Sequence, residues 1–168
     1  MASKRGFSVH IFLPDGESDG LKIVEKSNWT GIGLVIPRSR FPDVKNRDEL
    51  MHAGAYVLTG PLTGDDLPDV YIGEGDPVRP RLDSHYAKKD FWTQAIAFTS
   101  KDGALNKAHV QHLEARLVEL AQNAKRCQLE NANTPQRPSL SESVTATTEA
   151  FLDEMLQLFP ILGVRVFD

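Results

Sequence analysis

The sequence predicts an α+β fold, with a small antiparallel three-stranded central sheet flanked by helices, an N-terminal β-rich extension and a C-terminal helix. Three strand-type runs occupy the middle of the chain, at 54–58, 70–72 and 92–99. The length and composition of the linker 59–69 favour an antiparallel hairpin between the first two runs. A long pattern at 104–126 has apolar residues at helical spacing, which indicates a helix packed on this sheet.

The first 50 residues form the predicted β-rich extension. An apolar run at 7–13 predicts a strand, which ends in the turn Pro14-Asp15-Gly16. The other elements expected here are two short strands and a short helix, at 21–24, 32–36 and 44–51.

The predicted core covers residues 51–135. In it we expect a helix to start at Asp76-Pro77, because aspartate caps helices and proline suits the first turn, and to run to about Lys88. With Asp76 as the cap, Pro80 falls one position past the free amide donors, so we expect the regular helix to begin slightly later. Residues 136–168 form a C-terminal extension with a helix at 141–159. The tail after it is expected to add a strand or to pack as an extended end.

Composition limits the classes of protein to which this chain can belong. Its 168 residues are 25% charged, with a net charge of −4, as in an ordinary globular protein. The single cysteine, Cys127, excludes an internal disulfide and a cysteine zinc cluster. No apolar run reaches the roughly 20 residues of a membrane helix, and the N-terminus lacks a signal peptide pattern, so we expect a cytoplasmic protein without a membrane partner.

The negative net charge argues mildly against a nucleic-acid partner, since such proteins usually carry a basic patch. Basic residues nevertheless cluster along the predicted core helix. They are Arg79, Arg81, Lys88 and Lys89.

Glu114 is the first residue that does not fit an apolar core. Its helical neighbours are Val110, Leu117 and Val118, so the carboxylate lies on or beside the buried stripe. A buried carboxylate must be paired, protonated or metal-bound. The alternative is a glutamate at the edge of the stripe that reaches water.

Arg81 and His85 are four residues apart and therefore share a helix face. A fixed cation beside an imidazole suits an anionic substrate such as phosphate, although a solvated basic face is the alternative. Tyr56 and Tyr71 lie on two adjacent predicted strands, where tyrosines commonly only pack. The turn Gly73-Glu74-Gly75 before the helix could also cradle a phosphate.

In this order along the chain, these residues resemble the GIY-YIG nuclease superfamily, over about residues 52–135. The first motif corresponds to Gly54-Ala55-Tyr56, with alanine in place of isoleucine, and the second to Tyr71-Ile72-Gly73. The C-terminal segment is similar to a helical extension of some bacterial members. The remaining matches are Arg81, His85, Glu114 and, for the asparagine of the family, Asn131 or Asn133.

The resemblance implies hydrolysis of phosphodiester bonds in nucleic acid, most often DNA, with one divalent ion. Glu114 would hold Mg²⁺ (or Mn²⁺), which keeps several waters and often needs only one or two carboxylates. Arg81 would bind the phosphoryl oxygens, Tyr56 would position or deprotonate the water, and Tyr71 would help to orient the substrate or the water. A tyrosine pKa near 10 is high for a base, so we expect His85 or a cation to lower the pKa of Tyr56.

Under the same interpretation, Gly73 allows a tight backbone turn, so that Arg81 and His85 face the strands. Substrate contacts are expected at Gly73, Arg79, Lys88, Lys89, Asn131 and Asn133.

Two alternatives stay open at this point. One is a catalytically inert nucleic-acid-binding module, and the other is a protein-interaction domain in which the tyrosines and Glu114 are structural. The sequence indicates neither whether the nucleic acid is DNA or RNA nor whether the protein is a monomer or a dimer.

Overall fold

The fold is α+β in a computed structural model that describes residues 4–62 and 66–168. Part of the predicted hairpin linker, 63–65, lies outside the described residues. Within the described ranges one sheet has seven strands in the order β1-β2-β3-β6-β4-β5-β7, and all pairs are antiparallel except β5 with β7. The strands are β1 (Val9–Phe12), β2 (Lys22–Lys26), β3 (Gly31–Pro37), β4 (Gly54–Thr59), β5 (Asp69–Gly75), β6 (Gln94–Ser100) and β7 (Gln128–Leu129).

Four α-helices accompany this sheet in the same ranges. The short α1 and a 3₁₀ turn at Asp48–Met51 replace the single helix predicted at 44–51. The helices are α1 (Phe41–Val44), α2 (Arg79–Lys88), α3 (Lys107–Ala124) and α4 (Glu142–Ile161). None of the described helices is both long and apolar enough to cross a membrane.

The predicted three-stranded sheet is present as β6-β4-β5, but it is only part of a larger sheet. The N-terminal strands join it because β3 pairs with β6 along its whole length, from Gly31 opposite Ser100 to Pro37 opposite Gln94. This pairing covers a backbone edge of β6 that would otherwise need another hydrogen-bonding partner. The expectation of a three-stranded central sheet was therefore too limited.

The central strands β3, β6 and β4 are buried on both faces of the sheet, and the side chains of β4 alternate between these faces. Ala55 and Val57 belong to the apolar cluster that includes α3 and α4. Tyr56 and Leu58 belong to the opposite cluster, with Val78 and Leu82 at α2. Tyr56 therefore points to the α2 side of the sheet.

The regular part of α2 starts slightly after Asp76-Pro77, as the position of Pro80 led us to expect, although the cap is a different residue. The helix begins at Arg79, its N-cap is Val78 without a side-chain hydrogen bond, and Asp76 is not the cap. Pro80 then lies in the first turn, where the missing amide donor costs no hydrogen bond. A helix capped at Asp76 would have put Pro80 beyond the free donors, which explains the later start.

The C-terminal region closes the face that α3 covers. Asn106 caps α3 by accepting from His109 N, and Ser141 caps α4 by accepting from Val144 N. The tail forms no strand; instead Val164, Val166 and Phe167 are buried with the α3 and α4 cluster. Of the two expectations for the tail, the extended end that packs is the one observed.

Candidate active site

Tyr56 and His85 form a buried hydrogen bond between the centre of the sheet and α2. The Tyr56 Oη atom lies 2.6 Å from His85 Nε2, and the two side chains are 2% and 7% exposed. Helical spacing places His85 on the face of α2 that meets the sheet, one turn after Arg81. The first tyrosine motif and the helix are thus brought together as the sequence predicted.

Gly73 has a different role from the predicted one. It lies within β5, directly opposite Tyr56, and not in a turn. A Cβ atom at Gly73 would lie 2.3 Å from Tyr56 Oη and 2.4 Å from Cζ. The expectation of a tight turn at Gly73 was therefore wrong, because the glycine is needed where the Tyr56 ring crosses the neighbouring strand.

Tyr71 lies on the same side of the sheet as Tyr56, two residues from Gly73. Its ring centroid is 4.7 Å from that of His85, and Lys89 Nζ lies 4.8 Å from the centroid of the Tyr71 ring. Tyr71 is half-buried, whereas Tyr56 is enclosed. The tyrosine that substrate or solvent can reach most easily is therefore Tyr71.

Glu114 comes from α3, which packs on the face of the sheet opposite to Tyr56. Glu114 and Tyr71 line one open cavity of about 320 Å³, together with Lys89 and the loop that follows β7. Burial and the Glu74 carboxylate raise the pKa of Glu114 to about 7, against the opposing charge of Arg81. Within the described residues Glu114 has no hydrogen-bond or ion-pair partner, so its carboxylate faces the cavity uncommitted.

A second carboxylate, Glu74, was missed as a site residue. It is 6% exposed, and Lys107 Nζ donates to its two oxygens at 2.8 and 2.7 Å. An acidic residue between two glycines at the end of an apolar strand was the available signal. The pattern Gly73-Glu74-Gly75 instead suggested a turn before the helix.

The protonation states reverse one expectation. Burial, and then the neighbouring Tyr71, raises the pKa of Tyr56 far above its ordinary value. Burial, with the charges of Lys89 and Arg81, lowers the pKa of His85 to about 4. At neutral pH Tyr56 is therefore a phenol hydrogen-bonded to a neutral imidazole, and the expected lowering of the Tyr56 pKa by His85 does not occur.

Arg81 is exposed and close enough to act on this group electrostatically. Its charge opposes the rise in the pKa of Tyr56, Tyr71 and Glu114. The other basic residues of α2 lie differently, since Arg79 Nε pairs with Asp83 at 3.4 Å and Lys88 is exposed at the last helical position.

The two candidate asparagines have different surroundings. Asn131 Oδ1 accepts from Ile72 N at 3.0 Å and its Nδ2 donates to Ile72 O at 2.7 Å. Both ends of this amide therefore continue the β5 ladder where β7 stops. Asn133 is exposed and lines the cavity with Glu114, which leaves it the more available of the two for a ligand.

The C-terminus of α2 is anchored by residues that the sequence analysis did not single out. Arg38 donates to Lys89 O at 2.5 Å and to Tyr86 O at 2.8 Å, and its guanidinium lies over the rings of Tyr86 and Trp92. These bonds satisfy carbonyls at the end of a helix, where no intrahelical donors remain. The N-terminal region thus fixes the helix that carries Arg81 and His85.

The carboxylate ligand available at this cavity suits a hard divalent cation that keeps most of its water ligands. Glu114 offers an uncommitted carboxylate at an open cavity, which matches the one or two protein oxygens that Mg²⁺ commonly takes. No group of three or more His, Cys, Asp or Glu side chains in the described ranges could enclose a metal ion. Comparison of the chain with protein-family models, curated proteins and solved structures finds no match.

Proposed function

We propose that this chain is a metal-dependent endonuclease that hydrolyses phosphodiester bonds of nucleic acid, with DNA as the expected substrate. The observation that carries the proposal is the convergence of Tyr71 and Glu114 on one cavity, beside the Tyr56–His85 hydrogen bond. These side chains come from two strands and two helices. A purely structural role would not require an uncommitted carboxylate at an open cavity.

Each side chain has a task that fits its surroundings. Arg81, which is exposed and acts electrostatically on Glu114, binds the non-bridging oxygens of the scissile phosphate as negative charge builds on them. Tyr71 orients the phosphate or the attacking water through its accessible hydroxyl. Glu114 holds Mg²⁺ (or Mn²⁺), which when bound supplies positive charge to the phosphoryl and leaving oxygens.

Tyr56 and His85 handle the proton of the attacking water. The water oxygen bonds to phosphorus while its proton moves to Tyr56 Oη, and the phenolic proton of Tyr56 moves to His85 Nε2. The 2.6 Å hydrogen bond supplies the path for the second transfer when His85 carries its own proton on Nδ1. This relay avoids a free tyrosinate, which the raised pKa of Tyr56 disfavours, and it forms an imidazolium, which the bound phosphate must stabilise because the pKa of His85 is lowered.

The experiment compares Glu114→Gln with Glu119→Gln in a nicking time course on supercoiled plasmid, with Mg²⁺, with Mn²⁺ and with chelator. Glu119 is on the same helix but pairs with Arg116 and Arg137, away from the cavity. We expect Glu114→Gln to lose roughly 10² or more in rate and Glu119→Gln to stay near the wild type. Full activity of Glu114→Gln would remove Glu114 from the mechanism.

The same assay separates the alternatives. A wild-type chain that binds DNA with a steep salt dependence, yet cuts no plasmid, branched or single-stranded substrate, is an inert nucleic-acid module. A chain that neither binds nor cuts nucleic acid supports the other alternative, a protein-interaction domain. Both outcomes contradict the proposed nuclease.

A further inference from the structure

The first strand, β1, forms an open edge of the sheet. Among the described strands it has one neighbour, β2, in an unbroken register from Val9 opposite Lys26 to Phe12 opposite Ile23. Proteins usually protect such an edge with lysine, proline or a bulge, and the segment Val9–Phe12 contains none of these. Ile11 and Phe12 are instead 38% and 52% exposed.

The register identifies the backbone groups that face outward. Ser27 N donates to Ser8 O, so Ser8 and every second residue after it bond inward to β2. Val9 and Ile11 therefore direct their N–H and C=O groups away from the sheet. They offer two donors and two acceptors at the spacing of another antiparallel strand.

We propose that a second copy of this chain pairs with β1 about a two-fold axis and joins the two sheets into one. Val9 of one copy then lies opposite Ile11 of the other, and all four outward groups of each copy find partners. His10 lies on the axis opposite its own counterpart, and Ser8 lies opposite Phe12. This register is the one that pairs both outward residues of both copies.

The charges that flank β1 favour a second copy in this antiparallel direction. The residues before the strand are basic, Lys4 and Arg5, and Asp15 after it is acidic, whereas Glu17 already pairs with Arg40 of the same chain. Antiparallel pairing brings the basic end of one copy toward the acidic end of the other. A parallel arrangement would bring like charges together.

The first experiment measures mass by sedimentation equilibrium up to about 200 µM, since a short edge forms a weak dimer. We expect the wild type to approach twice the mass of the 18.6 kDa chain. Ile11→Pro should weaken the dimer about tenfold or more, because each copy loses one intermolecular donor. Its outward N–H makes no internal ladder bond, so the monomer should keep its melting temperature.

The second experiment tests the register by cross-linking, in a Cys127→Ser background so that only the introduced thiol reacts. With oxidised glutathione, His10→Cys should form a disulfide-linked dimer, since directly opposed Cα atoms in such a pair lie about 4.5 Å apart. Ser8→Cys is the matched control and should stay monomeric, because it faces Phe12 of the other copy.

A chain that is monomeric at every concentration would leave this edge to a strand of a different protein and overturn the proposal. Dimerisation that Ile11→Pro does not weaken, or equal cross-linking of the two cysteine variants, would place the interface elsewhere. None of these measurements depends on nuclease activity.

Discussion

The hydroxyl of Tyr56 lies 2.6 Å from Nε2 of His85, and both groups are buried between the sheet and α2. The raised pKa of the phenol and the lowered pKa of the imidazole keep both groups neutral, so one proton is shared along this bond between two uncharged partners. Gly73 leaves the space in which the phenol ring lies. Three residues from two strands and one helix thus act as one unit.

Tyr56→Phe tests how much this bond stabilises the fold. The change leaves a buried imidazole nitrogen without its hydrogen-bond partner, so we expect the free energy of unfolding, measured in urea, to fall by about 1–3 kcal/mol. Tyr71→Phe is the control, since within the described residues the Tyr71 hydroxyl makes no hydrogen bond. Equal losses in the two variants would mean that the bond contributes little.

Gly73→Ala tests the space between the strands. The added methyl would lie 2.3 Å from Tyr56 Oη, so the ring must move and the bond to His85 must lengthen. We expect a loss of about 1–3 kcal/mol in the free energy of unfolding, as in other overpacked sites. Gly6→Ala is the control because nothing lies near its Cβ position. If Gly73→Ala proves as harmless as Gly6→Ala, the ring does not depend on this glycine.

The stability of the fold should also reveal two opposing titrations. The pKa of His85 falls from 6.5 to about 4 on folding, so between these values the unfolded chain binds more protons and acid destabilises the fold. The pKa of Glu114 rises from 4.5 to about 7, so over its range the folded chain binds more protons and base destabilises the fold. The two slopes largely cancel in the wild type.

Single variants should separate these slopes. With Glu114→Gln, stability should rise as pH increases from 4 to 6.5, by at most about 1.4 kcal/mol per pH unit. With His85→Asn, stability should fall as pH increases from 4.5 to 7, within the same limit. The measurement is urea unfolding at half-unit steps of pH without metal. Variants whose slopes match that of the wild type would contradict the assigned protonation states.

The sequence predicted what depends on local pattern. The strands at β4 and β5, the amphipathic α3 and the shared face of Arg81 and His85 follow from periodicity, and the structure contains them. The pairing of β3 with β6 joins residues more than fifty positions apart, and no local signal marks it. The role of Gly73 was missed for the same reason, because it depends on which residue lies opposite on the next strand.

Arg81 and Arg79 provide a matched pair of substitutions on α2, and this test depends on the proposed nuclease. Arg81 acts electrostatically on Glu114 and both tyrosines, whereas Arg79 pairs with Asp83. We expect Arg81→Ala to slow cleavage by roughly 10² with a much smaller change in DNA affinity, as for other preorganised charges. Arg79→Ala should alter only the salt-dependent affinity for DNA.

A second measurement on Arg81→Ala needs no substrate. Since Arg81 lowers the pKa of Glu114, its removal should raise that pKa in a carboxyl carbon NMR titration. If cleavage slows but the Glu114 titration does not move, Arg81 acts on the phosphate alone. A loss confined to affinity would assign Arg81 to substrate positioning instead of charge stabilisation.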